Sequence, residues 1–437
     1  MKKVHDPNKR PRWSWYFYDF GNSAYASVIL LAVYSAYFKG TVVGGAEGTN
    51  LWGVSVGIAA VLVAIASPIL GTIADYSKSK KAFLMGFTAL SIVFTGMLFF
   101  VRKGDVFTGM LYFILAEIGY RGAQVFYDAL LPSISTPQNI GSVSGKGWAI
   151  GMLGGIAALI LVLIPIKLVA GFPIPYAFLI TAVFYLLSSI PTLLWVKEVD
   201  ENSGIKPEKG NIRVAFERLA STFRSIKSYR EFIKYTIAFL IYNDGIMMLM
   251  DFAAIIGGTL FGMTQTQLIL FVIVIQISGS AGALLFGKIS DKHSSKDSIL
   301  ISLLMLIGCI VALFFVKSLV GFFVVGFFAG FSLSGAQAVS RSMVSQLAPP
   351  EKTAEFYGFL SVAGRTSTFV GPLVFGMLSL QMNNWYVKQG LDAISAEHYG
   401  LYWAIGSILL FLLVGTAFLL RVKRVTAKDS MHYDSTN

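Results

Sequence analysis

Apolar residues in this chain run in long blocks, and the polar positions collect in short segments between them. The blocks fall near 14–38, 51–74, 82–101, 106–130, 147–170 and 174–196, then near 232–256, 266–288, 298–316, 319–345, 355–380 and 399–420. Each is close to the roughly 20 residues that a helix needs to cross a bilayer. In lipid the backbone must satisfy its own hydrogen bonds, so blocks of this length predict helices. The pattern predicts an all-α membrane protein of twelve spans in two six-helix bundles, residues 1–196 and 232–437. Between them lies 197–231, the only long polar stretch inside the chain. From Ile212 it sets Val214, Phe216, Leu219, Phe223 and Ile226 at helical spacing among basic residues. That reads either as an amphipathic helix on an anionic membrane surface or as a solvated linker.

The two bundles repeat each other in part. "GTIADYSKSKK" from Gly71 follows the second span, and "GKISDKHSSKD" from Gly287 follows the eighth, 216 residues later. "GAQ" recurs at Gly122 and Gly335, in the fourth and tenth spans, 213 residues apart. Two matches at nearly one offset, each in the corresponding span, indicate pseudo-symmetric halves of the kind transporters are built from. "GALLFGK" from Gly282 has the glycine and lysine spacing of a phosphate-binding loop. Ile289 stands where that loop needs Ser or Thr to hold magnesium, so the stretch is the end of a membrane helix.

Composition agrees. The chain is 55% hydrophobic and 13% charged, about half the roughly 25% charged share of a soluble domain. The net charge of +12 is not gathered on one soluble face, which argues against nucleic-acid binding. Lys and Arg number 25 in the segments on the side of both termini and 6 in the opposite loops, which predicts cytoplasmic termini. "AYA" at 24–26 resembles a signal cleavage site, but Asp19 and Asn22 precede it and the apolar run continues to Phe38, so it reads as an uncleaved first span. Cys309 is the single cysteine, and the four histidines fall in predicted loops or tails. No nucleophile with a base and no metal constellation lies near the spans, so neither an enzyme, a cofactor nor a metal is expected.

Gly71, Asp75, Lys80 and Lys81, with a second copy at Gly287, Asp291 and Lys292, resemble the conformational loop motif of the major facilitator superfamily. Tyr76 departs from it where a basic residue is usual, and the second copy ends in Asp297 rather than a second Lys. "YDFGNSAYAS" from Tyr18, "SGKGWAIGMLGG" from Ser144, "YNDG" from Tyr242 and "EFYGFLSVAGRTSTFVGPLVFG" from Glu355 narrow the likeness. Together they resemble the branch that contains the yeast vacuolar amino-acid effluxer linked to autophagy and its bacterial relatives. The resemblance covers essentially the whole chain. It implies a solute permease working by alternating access, with spans 1, 4, 7 and 10 around a central cavity. The compact termini look more bacterial than vacuolar, so a bacterial cytoplasmic (inner) membrane is the expected location.

Ionisable groups within spans cost several kcal/mol and normally face a partner, water or the bundle interior. Asp19, Glu117, Arg121, Asp128, Asp244, Asp251, Arg341 and Arg365 stand inside spans, and all but Arg365 lie on spans 1, 4, 7 and 10. Asn22 and Ser23 share the face of Asp19 at i+3 and i+4, and Asn243 adjoins Asp244. Glu117, Arg121, Gln124 and Asp128 form one stripe, spaced 4, 3 and 4; Glu117 and Arg121 either line a cavity or neutralise each other. Span 10 mirrors this with Ser334, Gln337 and Arg341. Arg365 either holds an anionic solute group or pairs with an acid of span 7 or 10.

The expected function is secondary transport of a small polar solute, an amino acid or related metabolite, by a monomer in the lipid bilayer. Asp19, Glu117 and Asp244 are the candidates for carrying protons if transport is proton-coupled. A lipid or amphiphile flippase of the same fold and a non-transporting receptor are the alternatives. Under the 213-residue repeat Asp128 corresponds to Arg341, which predicts a cytoplasmic gate formed by their ion pair. Asp128→Arg and Arg341→Asp should then each block solute uptake in liposomes, and the double exchange should restore it; a double exchange as inactive as the singles excludes the pair.

Overall fold

The structure is a computed structural model that describes residues 9–77, 80–135, 140–196, 229–348, 356, 359–360, 364 and 368–424, with side chains for all of these except 67–77, 132, 140–142 and 345. Among the described residues there is no strand. The long helices are α1 (Lys9–Tyr25), α2 (Gly45–Ser77), α3 (Lys80–Met97), α4 (Val106–Ala129), α5 (Ile140–Leu168), α6 (Tyr176–Trp195), α7 (Arg230–Phe261), α8 (Gln265–Lys292), α9 (Ser295–Leu313), α10 (Leu319–Leu347), α11 (Val370–Lys388) and α12 (Ala393–Leu420). Ten helical segments among the described residues are long and apolar enough to cross a membrane. The first of these runs from Lys9 through Val43, joining α1 to the turns that follow it. The two helices outside the ten are α4, which carries Glu117, Arg121 and Asp128, and α11, which carries Gln381, Asn383 and Asn384.

Three details differ from the pattern of apolar blocks. The eleventh block was expected to end near 380, yet α11 continues to Lys388. Its polar last turns lie against α12, where a Cβ on Gly400 would come within 2.9 Å of the Asn383 amide nitrogen. His398, expected in a loop, stands in the second turn of α12 because Asp392 starts that helix early, accepting from the amides of Ile394 at 3.1 Å and Ser395 at 3.0 Å. The first span is not one α-helix. After Tyr25 it becomes a π-helix over Ala26–Ala32, closed by Val33 N–H donating to Val28 O five residues back, at 2.8 Å. Such turns inside α-helices recur at functional sites.

The chain separates into two compact units, Met1–Val43 with Leu62–Phe216, and Gly44–Val61 with Glu217–Asn437. In the second unit the first half of α2 packs on α7 and α11. Trp52 Nε1 donates to Asp251 O at 2.8 Å, and Gly53 lies so close to α11 that a Cβ there would be 2.3 Å from Pro372 O. Loop residues cap α8, α9 and α10: Thr264 and Gln267 form a capping box, and the hydroxyls of Ser294 and Ser318 accept from Asp297 and Gly321 N–H.

In the first unit α1 lies against α5 and α6 through small residues. On α5, a Cβ at Gly147 would be 2.3 Å from the Trp15 ring and one at Gly154 would be 2.0 Å from Phe20 O. On α1, a Cβ at Gly21 would be 2.4 Å from Ser188 Cβ on α6. Without a hydrophobic force between helices in lipid, such close backbone approach supplies the association. Gly154→Ala should therefore destabilise the protein by about 1–3 kcal/mol through overpacking. Gly406→Ala, in α12 with open space around it, should be neutral or slightly stabilising. Reversible unfolding in mixed micelles distinguishes the two.

Candidate functional site

The polar residues of the first span fall where α1, α4 and α5 meet. Asp19 is half-buried on α1, and a Cβ on Gly151 of α5 would come within 2.5 Å of Asp19 Oδ2 and 2.9 Å of Ser23 Oγ. Only a glycine leaves those two polar side chains their place. Asn22 is buried one turn further along α1.

Aromatic pairs set the register of α1 against α4. Tyr18 stacks on Tyr127 with ring centroids 5.0 Å apart, and Tyr25 stacks on Tyr120 at 4.6 Å. Residue numbers rise on one helix as they fall on the other, so the helices are antiparallel, and tyrosines two turns apart meet tyrosines two turns apart. Trp15 closes one end of the ladder, stacked on Tyr127 at 4.2 Å and donating from Nε1 to Tyr127 O at 3.1 Å. The Tyr18 hydroxyl also meets Thr88 Oγ1 at 2.6 Å and the Tyr185 hydroxyl at 2.9 Å, tying α1 to α3 and α6.

On α4, Glu117 is fully buried and Arg121 Nε donates to its Oε1, so this ion pair is made. Tyr120 lies within electrostatic reach of Glu117, Arg121 and Asp19, and within hydrogen-bonding reach of Gln124. Asp19, Glu117, Arg121 and Gln124 are thus one cluster organised around a tyrosine. Asp128 is exposed near the end of α4.

The second unit has its own buried polar group on α7. Asn243, Asp244 and Asp251 are all buried, and Asp244 lies beside the backbone of Gly371 on α11. Asp251 is two turns from Asp244 and within electrostatic reach of it. Gln337 of α10 turns its Nε2 toward Met250 Sδ at 4.0 Å. The Tyr242 hydroxyl meets Ser340 Oγ at 2.7 Å, and the Tyr235 hydroxyl donates to Ser340 O at 2.7 Å. Arg341 is exposed. Of the loop motif, Lys81 Nζ donates to Val196 O at the end of α6 at 3.0 Å, Lys80 and Gly287 are half-buried, and Asp291 and Lys292 are exposed. Gly71 and Asp75 lie in the part of α2 without described side chains, and Arg365 and residues 197–228 of the central segment lie outside the described residues.

Sequence reasoning missed the tyrosines. Their signal was present as the seven-residue spacing of Tyr18 and Tyr25 on one span and of Tyr120 and Tyr127 on another.

Long apolar helices with ionisable groups buried on the fourth and seventh spans and half-buried on the first define a multi-pass membrane transporter. The fold matches a bacterial homologue of the human lysosomal transporter Spinster, solved inward-facing and unoccupied, with a TM-score of 0.69 and 14% identity over 95% of this chain and 97% of that one. It matches the nucleoside transporter NupG equally, with a TM-score of 0.69 and 14% identity over 93% and 99%. These likenesses establish the major facilitator fold.

The chain belongs to the family described as "Vacuole effluxer Atg22 like", whose model matches residues 51–140 and 136–387. It is 28% identical over 430 residues to the uncharacterized MFS-type transporter YxiO of Bacillus subtilis strain 168, covering 95% of each chain. It is 25% identical over 278 residues to Autophagy-related protein 22 of Yarrowia lipolytica, covering 55% of this chain and 46% of that protein.

Tyr18 holds three helices through one buried hydroxyl. Tyr18→Phe should cost about 1–3 kcal/mol, because Thr88 and Tyr185 lose a buried partner. Thermal unfolding of the purified variant checks it.

Proposed function

We propose that this chain is a secondary transporter of a small polar solute, an amino acid or related metabolite, working by alternating access as a monomer. The observation that carries the reading is Asp19, a half-buried carboxylate on the first span, set against Gly151 and within reach of the Tyr120, Glu117 and Arg121 cluster. A charged group at membrane depth marks a solute or ion pathway by default. Membership of a family described as vacuole effluxers supports solute transport, and the resemblance of its motifs to the branch of the amino-acid effluxer supports an amino-acid-like cargo. Asp19 and Asp244 are the groups we assign to proton carriage, since Glu117 is already engaged by Arg121.

The near-complete match to a bacterial relative, against a partial match to the fungal protein, supports residence in a bacterial inner membrane. The excess of Lys and Arg on the side of the termini supports their cytoplasmic placement.

A thermal-shift screen against amino acids, peptides, sugars and nucleosides, followed by counterflow in liposomes, tests the reading. The solute that stabilises the wild type should bind Asp19→Asn about 10- to 100-fold more weakly, the equivalent of one charge-assisted hydrogen bond. Unchanged binding in Asp19→Asn removes Asp19 from the site. Absence of counterflow for every solute that binds rules out the permease.

A further inference from the structure

After α12 ends at Leu420 the chain reads Arg421, Val422, Lys423 and Arg424, three cations around one apolar residue. Val422 is 1% exposed, so it anchors the segment. Two helix beginnings complete the anchoring. From the start of α9, Lys296 Nζ donates to Leu420 O at 2.8 Å and to Val422 O at 2.5 Å, covering carbonyls that the end of α12 leaves open. The neighbouring Asp297 accepts from Arg424 Nε at 2.8 Å. From the start of α7, Glu231 Oε2 accepts from the Lys423 amide at 2.7 Å, while its Oε1 accepts from Lys234 Nζ at 2.7 Å.

Both acids of this corner are thereby engaged. Arg230, Arg421 and Lys423 are exposed, and among the described residues none of their side chains has an acid partner. With Lys234, Lys296 and Arg424 they make six cations against two acids where α7, α9 and α12 meet. Main-chain bonds and a buried valine hold the segment, so its surplus positive charge is fixed in place.

The outer face of α12 sets the depth of the corner. Leu410, Leu413, Ala417 and Leu420 are exposed at steps of three, four and three, an apolar stripe on one face that ends beside Arg421. At the other end of the stripe the exposed Trp403 donates from Nε1 to the Tyr386 hydroxyl at 3.3 Å, and the Tyr386 ring lies 4.8 Å from that of Trp385 and 5.0 Å from that of Tyr399. Tryptophan and tyrosine gather at the membrane–water boundary. The helix from Trp403 to Arg421 is about 27 Å long, close to the roughly 30 Å of a hydrocarbon core. The aromatic group and Arg421 therefore stand at opposite boundaries, which puts the cations at headgroup depth. Arg421 turns its guanidinium back over the Phe418 ring, 5.5 Å from its centroid, so its charge is level with the last turn of the stripe.

We propose that this corner binds an anionic phospholipid of the phosphatidylglycerol class, with its phosphate on Arg421 and Lys423, Arg230 beside them, and an acyl chain along the stripe from Leu420 to Leu410. The charge surplus calls for an anion, and the guanidinium fork suits phosphate oxygens. The stripe calls for a hydrocarbon chain, which a soluble anion lacks. A zwitterionic lipid brings its own cation to a site that already has too many. The site goes beyond the permease reading and uses none of the residues assigned to solute or protons.

The test is the unfolding temperature of the purified full-length protein in mixed micelles with added phosphatidylglycerol, phosphatidylcholine or inorganic phosphate. Phosphatidylglycerol should raise it saturably, and the other two should not. Arg421→Gln and Lys423→Gln change exposed side chains and should each raise the half-saturating phosphatidylglycerol fraction about fivefold, and together about 25-fold. Lys388→Gln, an exposed cation at the far end of α11, should leave it unchanged. An equal shift with phosphatidylcholine overturns the site, as does a phosphatidylglycerol effect that the double variant keeps. Inorganic phosphate that reproduces the full shift makes this an anion site and overturns the lipid. A loss in Lys388→Gln as large as that in Arg421→Gln reduces the effect to general surface charge and overturns it too.

Discussion

The first unit depends on the close approach of α1 to α5. Gly147, Gly151 and Gly154 are spaced four and three residues apart, so they form one ridge with no side chains, and α1 lies against it. The end glycines admit the Trp15 ring and the Phe20 carbonyl, whereas the middle one admits the carboxylate of Asp19 and the hydroxyl of Ser23. The same contact that holds the helices together thus decides where the first polar group of the chain can stand. A single Cβ at Gly151 would occupy the place of the carboxylate, so packing and chemistry are not separable at this residue.

Burying charge is the opposing constraint, and the two units meet it differently. In the first, Glu117 is matched by Arg121 one turn later on the same helix, and aromatic residues enclose the pair. In the second, Asp244 and Asp251 occur on one helix two turns apart and within electrostatic reach of each other. The first unit thus meets a buried acid with a base on the same helix, whereas the second sets Asp244 beside the backbone of Gly371 on α11.

Much of the fold was legible in the sequence because lipid imposes a simple rule: blocks of about 20 apolar residues become helices. Where the rule failed, a polar stretch was helical for another reason. The end of α11 stays helical against Gly400, and α12 starts early on its Asp392 cap. Hydropathy carries no trace of either. The charged members of the site were legible because each stands out in an apolar block, as Asp19 and Glu117 do. Tyr18, Tyr25, Tyr120 and Tyr127 were not, because hydroxyl-bearing residues are common in membrane helices and acquire meaning only when register shows which of them face one another.

The repeat shows how far shared sequence carries shared packing. Gly122 and Gly335 occupy equivalent places in "GAQ", and each is pressed against a phenylalanine ring. The rings come from different neighbours, Phe87 on α3 for Gly122 and Phe286 on α8 for Gly335. Duplication has kept the requirement, a residue small enough to let a ring approach, while the helix that supplies the ring has changed. Tyr18 and Tyr242 follow the same course. Equivalent in span rather than in residue, both open the polar stretch of their span and both bury a hydroxyl, but that of Tyr18 meets Thr88 and Tyr185 whereas that of Tyr242 meets Ser340. Equivalent positions therefore predict which residues are buried and how large they are, and the chemistry they contact has to be read separately in each half.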